Sequence, residues 1–333
     1  MRIIVLGAGA IGSVYGARLS KHHDVTLIGG RAHVEAIQRD GLIMQGCTTG
    51  TLRLPAFTRV LSIEPGTLIL LTTKVNNNAA AVEPIVDLLP PAHHGARREG
   101  GAGATIVCVQ NGLYSEDIVK RLVGDRALVL RAITQVGGVL VRPGVVDNTV
   151  AGYTLLESHD QSPGLATLLT EAGLDGRVIP DIKKEMWRKA VFNCVINPTT
   201  SLLGCEVGGI VDPQLNGLKQ QIIDECLAVA RADGVTFENL STQATGAKVD
   251  LSTEAHRAKV EDFVALIDRV FAGARTIASM RQDLLKGRKT EIDHMNGAVA
   301  DLGLQYGVAT PVNATMATMI RYLEARRPGS QEA

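Results

Sequence analysis

Lys189, Asn193 and Asn197 recur at four-residue intervals in the run from Glu185 to Pro198. On an α-helix that spacing gathers all three within a sector of roughly 80°. Their neighbours Ala190, Val191, Phe192, Cys194, Val195 and Ile196 are apolar, which predicts a largely buried helix whose polar stripe faces partners or a cavity. Burying an ammonium and two amides without use would cost ~1–3 kcal/mol per unsatisfied polar group, and more for the charge. A lysine so placed suits hydride delivery to a ketone, because the ammonium stabilises negative charge building on the oxygen and then donates a proton. The amides beside it are candidates to bind a substrate carboxylate or hydroxyl without titrating. A purely structural polar network is the alternative reading of the same pattern. Pro198 has no N–H for the Cys194 carbonyl, so it is expected to end or kink the helix and leave backbone oxygens free near the stripe.

A second polar cluster runs from Ser279 to Asp283 and on through Lys286 to Asp293. Ser279 and Asp283 share a helical face, Gly287 offers a break, and Thr290 with Glu291 restarts a helix. Glu291 is a candidate to hold the lysine ammonium or a ribose hydroxyl. Alone, such a charged helix–turn–helix is most often a solvated surface.

The third feature is Gly7-Ala8-Gly9-Ala10-Ile11-Gly12, a GxGxxG run between an apolar β-branched stretch, Arg2–Leu6, and a helical pattern, Ile11–Lys21. The glycines serve a tight turn, backbone approach to a pyrophosphate, and close packing of helix on sheet. The helix N-terminus then offers N–H groups and partial positive charge to the phosphates. With a strand before it and Asp24–Ile28 after it, the run meets the contextual conditions for dinucleotide binding. A carboxylate at the end of the second strand would select NAD; here Ile28-Gly29-Gly30-Arg31 has none, and Arg31 favours the 2′-phosphate of NADPH. Ligands of open α/β sheets gather beyond the carboxyl ends of strands. Thr72-Thr73-Lys74 and Gln110-Asn111-Gly112 fall there, so Lys74 and Asn111 are further candidates. The plain alternatives are a surface charge for Lys74 and a positive-φ turn for Asn111-Gly112.

Positioning these residues requires two kinds of scaffold. Strands are expected at Arg2–Leu6, Asp24–Ile28, Thr67–Leu71, Thr105–Val109 and Ala127–Val136, with helices Ile11–Lys21 and Asn77–Leu88 among them, the latter ended by Pro90 and Pro91. Gly41–Val60 alternates like an antiparallel ribbon, and Pro91–Gly103 reads as a surface loop, its adjacent His93 and His94 being a poor chelate. Beyond about Pro180 long helices are expected: Lys183–Leu203, Gln214–Asp233, Leu251–Leu285, Glu291–Tyr306 and Thr310–Arg326. The tail from Arg327 is expected to fray. The chain is therefore read as α/β, a Rossmann-type dinucleotide-binding domain over residues 1–180 followed by an all-α domain over 181–333. The ligand of such an enzyme is expected in the cleft between its domains.

Composition narrows the partners. Lys plus Arg and Asp plus Glu are equal at 34 each, which removes the broad positive field of a nucleic-acid or anionic-membrane binder. No apolar run approaches the ~20 residues of a membrane span. Cys47, Cys108, Cys194, Cys205 and Cys226 show neither paired nor metal-ligand spacing, so neither a disulfide framework nor a metal site is expected and a reducing cytoplasm fits best. They read as small buried hydrophobes.

Together these residues resemble the ketopantoate reductase (2-dehydropantoate 2-reductase) family. The match spans nearly the whole chain: the GAGAIG start, TTK, QNG, the W-R-K-x(3)-N-x(3)-N-P run and the S-M-x(2)-D-x(4)-R-x-T-E-I-D block ending in M-N-G. The last two are specific; the first is shared by many dehydrogenases. The resemblance implies a helical domain like the 6-phosphogluconate dehydrogenase C-terminal domain, and reduction of 2-ketopantoate to D-pantoate with NADPH in pantothenate synthesis. It implies Lys189 as general acid and Glu291 near that lysine and the nicotinamide ribose. Asn193, Asn197, Ser279 and Asn111 would bind substrate. Gly7, Gly9, Ala10, Ile11, Gly12, Arg31, Lys74 and Asn111 would lie at the cofactor. The partners implied are a small 2-keto acid and, as an admissible assembly, a second copy of the chain. Two departures stand out: Cys205-Glu206-Val207-Gly208 replaces a segment where such enzymes often carry another substrate-binding Asn, and the Pro91–Gly103 loop is longer. The alternatives are a reductase of another branched 2-keto acid and a non-catalytic NADP-binding sensor.

Overall fold

The computed structural model describes residues 1–90, 103–237, 239–241, 248–250 and 256–326. The loop segment 91–102, with His93 and His94, and the tail from Arg327 lie outside the described residues. The chain divides into two compact units, Met1–Ile182 and Lys183–Ala333.

In the first unit, β1 (Arg2–Leu6), α1 (Ala10–Leu19), β2 (Asp24–Ile28) and α2 (Arg31–Asp40) follow the expected order. The Gly41–Val60 stretch becomes β3 (Leu42–Gly46), β4 (Gly50–Leu52) and the two-residue β5 (Ala56–Phe57); β3 and β4 pair antiparallel, whereas β5 joins β2 in parallel. Next come β6 (Leu68–Leu71), α3 (Asn78–Val86), β7 (Ala104–Val109), α4 (Ser115–Val123) and β8 (Ala127–Thr134). Helix α3 starts and stops inside the expected Asn77–Leu88, its end falling short of Pro90.

Strand β8 ends at Thr134 instead of Val136, and four strands and a helix absent from the sequence expectation follow. These are β9 (Gly137–Arg142), β10 (Val145–Val150), β11 (Thr154–Glu157), α5 (Ser162–Glu171) and β12 (Gly176–Ile179). The main sheet has the order β12-β11-β8-β7-β6-β1-β2-β5, parallel except for β11 against β8. A second sheet, β4-β3-β10-β9, packs its buried residues Leu42, Met44 and Val146 into the same core as Val14, Ala17 and Val34.

The chain runs outward from β1 through β2 to β5 and then returns to β6 on the other flank of β1. That reversal opens a crevice at the carboxyl ends of β1 and β6, the place where open sheets bind ligands. Strands β1, β6 and β7 are nearly continuous apolar runs, as strands covered on both faces must be.

The second unit is helical, with α6 (Ile182–Leu203), α7 (Asn216–Ala232), one short antiparallel ribbon of β13 (Asn239–Ser241) and β14 (Lys248–Asp250), then α8 (His256–Phe271), α9 (Ser279–Leu285), α10 (Asn296–Tyr306) and α11 (Pro311–Ala325). The single helix expected over Leu251–Leu285 is two: the chain turns at Gly273, φ +72°, and restarts at Ser279, while 251–255 lies outside the described residues. The helix expected from Glu291 starts five residues later. Glu291 precedes a single 3₁₀ turn, Ile292–His294, and Met295 at φ −118°, ψ −105° interrupts it.

Pro198 does not end α6, which continues to Leu203. The Cys194 carbonyl it leaves unserved is not free, because Asn296 Nδ2 donates to it at 3.0 Å. Among the described residues no helix is long and apolar enough to cross a membrane.

Candidate functional site

The glycine-rich turn sits at the β1–β6 switch point. Gly7 N donates to the Ile28 carbonyl at 2.9 Å, and Thr72 Oγ1 donates to the Gly7 carbonyl at 2.9 Å. Gly7 has φ +111°, and a Cβ there would lie 2.4 Å from Thr73 N. A Cβ on Gly12 would lie 2.4 Å from the Gly7 carbonyl oxygen and 2.5 Å from Thr72 Oγ1. Both glycines are therefore demanded by backbone packing. Gly9 differs, since a Cβ there would meet protein only at 3.9 Å. No side chain caps α1 at Gly9, so the N–H groups of Ala10, Ile11 and Gly12 point out of the helix end without intrahelical acceptors. This uncapped end beside an open glycine suits a pyrophosphate.

Arg31 is the first residue of α2, exposed, directly beyond β2; no carboxylate occupies that strand end. Two residues on, His33 is buried and accepts the Gly144 N–H at Nδ1, 2.9 Å, so its Nε2 carries the proton and donates to Ser13 Oγ at 3.1 Å. Burial pushes the His33 pKa down, keeping it neutral. This side chain ties α2, and Arg31 with it, to the first turn of α1.

Lys74 and Asn111 are both half-buried at the ends of β6 and β7. Beneath them lies a buried network the sequence reading missed. Gln110 Nε2 donates to the Thr73 carbonyl at 2.8 Å and to Asn78 Oδ1, while Asn78 Nδ2 donates back to Gln110 Oε1 at 3.1 Å. Arg131, 2% exposed, reaches from β8 to donate to the carbonyls of Gln110 at 2.9 Å and Gly112 at 3.0 Å. Those bonds come from Nη2, and Nη1 meets Ser115 Oγ and, at 3.3 Å, Glu116. Gly112 does take positive φ, +81°, so the turn reading holds for it, and Arg131 clamps the turn that presents Asn111. The legible signal was a lone arginine within the apolar strand run Ala127–Thr134.

In the second unit, α6 carries Lys189 and Asn193 half-buried and Asn197 only 5% exposed. Asn197 Oδ1 accepts from Ser279 Oγ at 3.3 Å and from the Met280 N–H at 3.4 Å. The structure thus joins Asn197 and Ser279, 82 residues apart in sequence, and leaves Asn197 Nδ2 with no protein partner among the described residues. Asn193 likewise has none.

Asp233 anchors the front of α6, accepting from Trp187 Nε1 at 2.8 Å, pairing with Lys183 at 2.9 Å, and accepting from Tyr306 at 2.8 Å. Phe192 packs edge-on to Phe263 of α8, ring centres 4.9 Å apart. Glu291 is 3% exposed at the turn before α10. The Cys205–Gly208 segment enters a 3₁₀ turn, Val207–Ile210, pinned by Val207 N to Thr276 O and Gly208 N to Ala274 O, each 2.8 Å.

Among the described residues no group of three or more His, Cys, Asp or Glu side chains is placed to hold a metal ion. Of the cysteines, Cys108, Cys194 and Cys226 are buried, Cys205 is partly so, and Cys47 is exposed, which departs from the expectation that all five are interior. Burial pushes the Cys108 thiol up to about 12, the wrong direction for a nucleophile.

Residues 3–161 match the model for "Ketopantoate reductase PanE/ApbA", and residues 181–324 match that for "Ketopantoate reductase PanE/ApbA C terminal". A 2-dehydropantoate 2-reductase of Pyrococcus horikoshii is 28% identical over 338 aligned positions, covering 99% of this chain and all of that one. A ketopantoate reductase structure from Ralstonia eutropha superposes with a TM-score of 0.80 at 25% identity, covering 98% of this chain and 99% of the other. The ternary structure of a D-mandelate dehydrogenase with NADH and anilino(oxo)acetate is similarly alike, with TM-score 0.79, 25% identity, and coverage of 97% and 98%. With glycine turn, polar stripe and both family models in agreement along the chain, the protein belongs to the ketopantoate reductase family.

Proposed function

We propose that the protein reduces 2-dehydropantoate to D-pantoate with NADPH. The observation that carries this reading is the stripe of α6: a lysine and two amides on one face of a continuous helix, with Asn197 tied to Ser279 and an amide donor left over. The relatives named 2-dehydropantoate 2-reductase support the substrate.

When bound, the dihydronicotinamide would supply the hydride that the keto carbon accepts. The Lys189 ammonium stabilises the growing charge on the keto oxygen and gives it a proton. Asn193, Asn197 and Ser279 hold the carboxylate and hydroxyl groups, Asn111 adds an amide, and Glu291 orients the lysine. The turn Gly7, Gly9, Ala10, Ile11 and Gly12 would hold the pyrophosphate, Lys74 would lie at the cofactor, and Arg31 would meet the 2′-phosphate. A 2-keto acid with a different acyl group is the second reading, favoured by the Cys205–Gly208 segment and by the likeness to a D-mandelate dehydrogenase.

The test measures consumption of NADPH and of NADH with 2-dehydropantoate, with other branched 2-keto acids and with phenylglyoxylate. The highest kcat/KM is expected for NADPH with 2-dehydropantoate; a higher value for another acid moves the assignment to it, and no oxidation with any acid returns the chain to a sensor. Arg31→Ala is expected to raise the KM for NADPH roughly 10- to 100-fold, the worth of a charged hydrogen bond at ~1.5–3 kcal/mol, while leaving that for NADH unchanged. Equal effects on the two nucleotides would remove Arg31 from the 2′-phosphate.

A further inference from the structure

Helix α6 contains a proline that should have broken it, and the reason it survives lies on another helix. In a regular helix the N–H of residue 198 would donate to the carbonyl of Cys194; proline has none, and an orphaned buried carbonyl is costly. Here that carbonyl accepts from Asn296 Nδ2 at 3.0 Å. Asn296 is fully buried at the first turn of α10, and its second amide hydrogen goes to Asn313 Oδ1 at 2.9 Å. Asn313 is fully buried too and is itself fixed, donating from Nδ2 to Glu225 Oε2 at 2.7 Å. Glu225 also accepts the N–H groups of Val312 and Asn313 at the start of α11, at 2.9 and 2.8 Å. A chain of hydrogen bonds, buried from Asn313 inward, thus runs from the half-buried Glu225 of α7 through α11 and α10 to one backbone oxygen of α6. That oxygen belongs to the residue after Asn193 and lies within one turn of Asn197.

We propose that Asn296 is a positioning residue, supplying the hydrogen bond that Pro198 cannot give and so holding Lys189 and Asn193, before the gap, in register with Asn197, beside it. This rests on the role proposed above for the stripe. Core packing alone would not require an amide here, since an apolar side chain fills such a site without burying Asn296 Oδ1, which has no partner among the described residues. The donor Nδ2 is what the position uses.

The experiment exploits the fact that Pro198→Ala restores a backbone N–H aimed at the same oxygen. Asn296→Ala, Pro198→Ala and the double variant are compared for kcat, keto-acid KM, NADPH affinity and thermal unfolding. Asn296→Ala is expected to lower kcat roughly 10- to 100-fold, the scale of a small misplacement of reacting groups, with NADPH affinity unchanged. The double variant is expected to recover to within a few-fold of Pro198→Ala. A folded Asn296→Ala protein with full turnover, or a double variant as impaired as Asn296→Ala, would overturn the proposal. If Asn296→Ala does not fold, the comparison is the double variant against Pro198→Ala, and a double variant that is insoluble or inactive overturns it equally. Lys189→Ala, assayed alongside, separates the two failures. If it retains turnover the stripe reading falls, whereas its inactivity with an unaffected Asn296→Ala rejects only the positioning role.

Discussion

Replacing Lys189 by alanine is expected to abolish most turnover while leaving NADPH binding intact. A positioned acid contributes typically about 10²–10⁴-fold to a proton transfer, and the ammonium proposed here has two duties, stabilising charge and delivering the proton. The loss should therefore appear in kcat and kcat/KM together, the signature of an interaction made chiefly in the transition state. Stability is not expected to fall with it, because Lys189 is half-buried and alanine is the best helix former at an interior position of α6. Steady-state kinetics beside NADPH fluorescence titration reads both quantities. A variant retaining more than about a tenth of the turnover would deny Lys189 the acid role, being outside the range of general acid catalysis.

The second large effect is on stability. Arg131→Met is expected to cost about 3–5 kcal/mol, since it strands the Glu116 carboxylate, 7% exposed, and removes the donors of the Gln110 and Gly112 carbonyls. At roughly 2–4 °C per kcal/mol, the melting temperature of the first unit should fall by roughly 6–20 °C. Arg131→Met with Glu116→Gln should recover part of that loss, because the uncompensated charge is gone. The same clamp holds the turn bearing Asn111, so NADPH affinity should weaken in the single variant even well below its melting temperature. A melting shift within about 2 °C would show that the network carries little of the unit's stability.

These two residues differ in how far sequence alone exposed them. Lys189 announces itself, because i, i+4, i+8 spacing among apolar neighbours is a local pattern and helix geometry converts it directly into a shared face. Gly7 and Gly12 are similarly legible: their need for a missing side chain follows from a strand–turn–helix written in consecutive residues. Arg131 was visible only as an oddity in an apolar strand. Its partners come from Gln110, Gly112, Ser115 and Glu116, brought to it by parallel pairing of β7 with β8. The strands from β9 to β12 escaped because all four mix polar or charged residues with their apolar ones and none is buried along its whole length. Their identity rests on pairing with distant strands, as β10 with β3, not on their own periodicity.

Pro198 shows the division most sharply. Residue type alone dictated that the helix lose one hydrogen bond at Cys194, and it did. Whether that loss would break the helix was not a local question. Asn296, about a hundred positions further along, supplies a donor to the same oxygen, and only tertiary packing brings the two together. The family, the glycine-rich turn and the polar stripe were thus set by patterns within a few consecutive turns of chain. The supports that hold them, Arg131 beneath the first unit's loops and Asn296 behind the second unit's helix, were decided by the fold. A buried polar group takes whatever partner three-dimensional proximity offers, and separation along the chain carries no information about that.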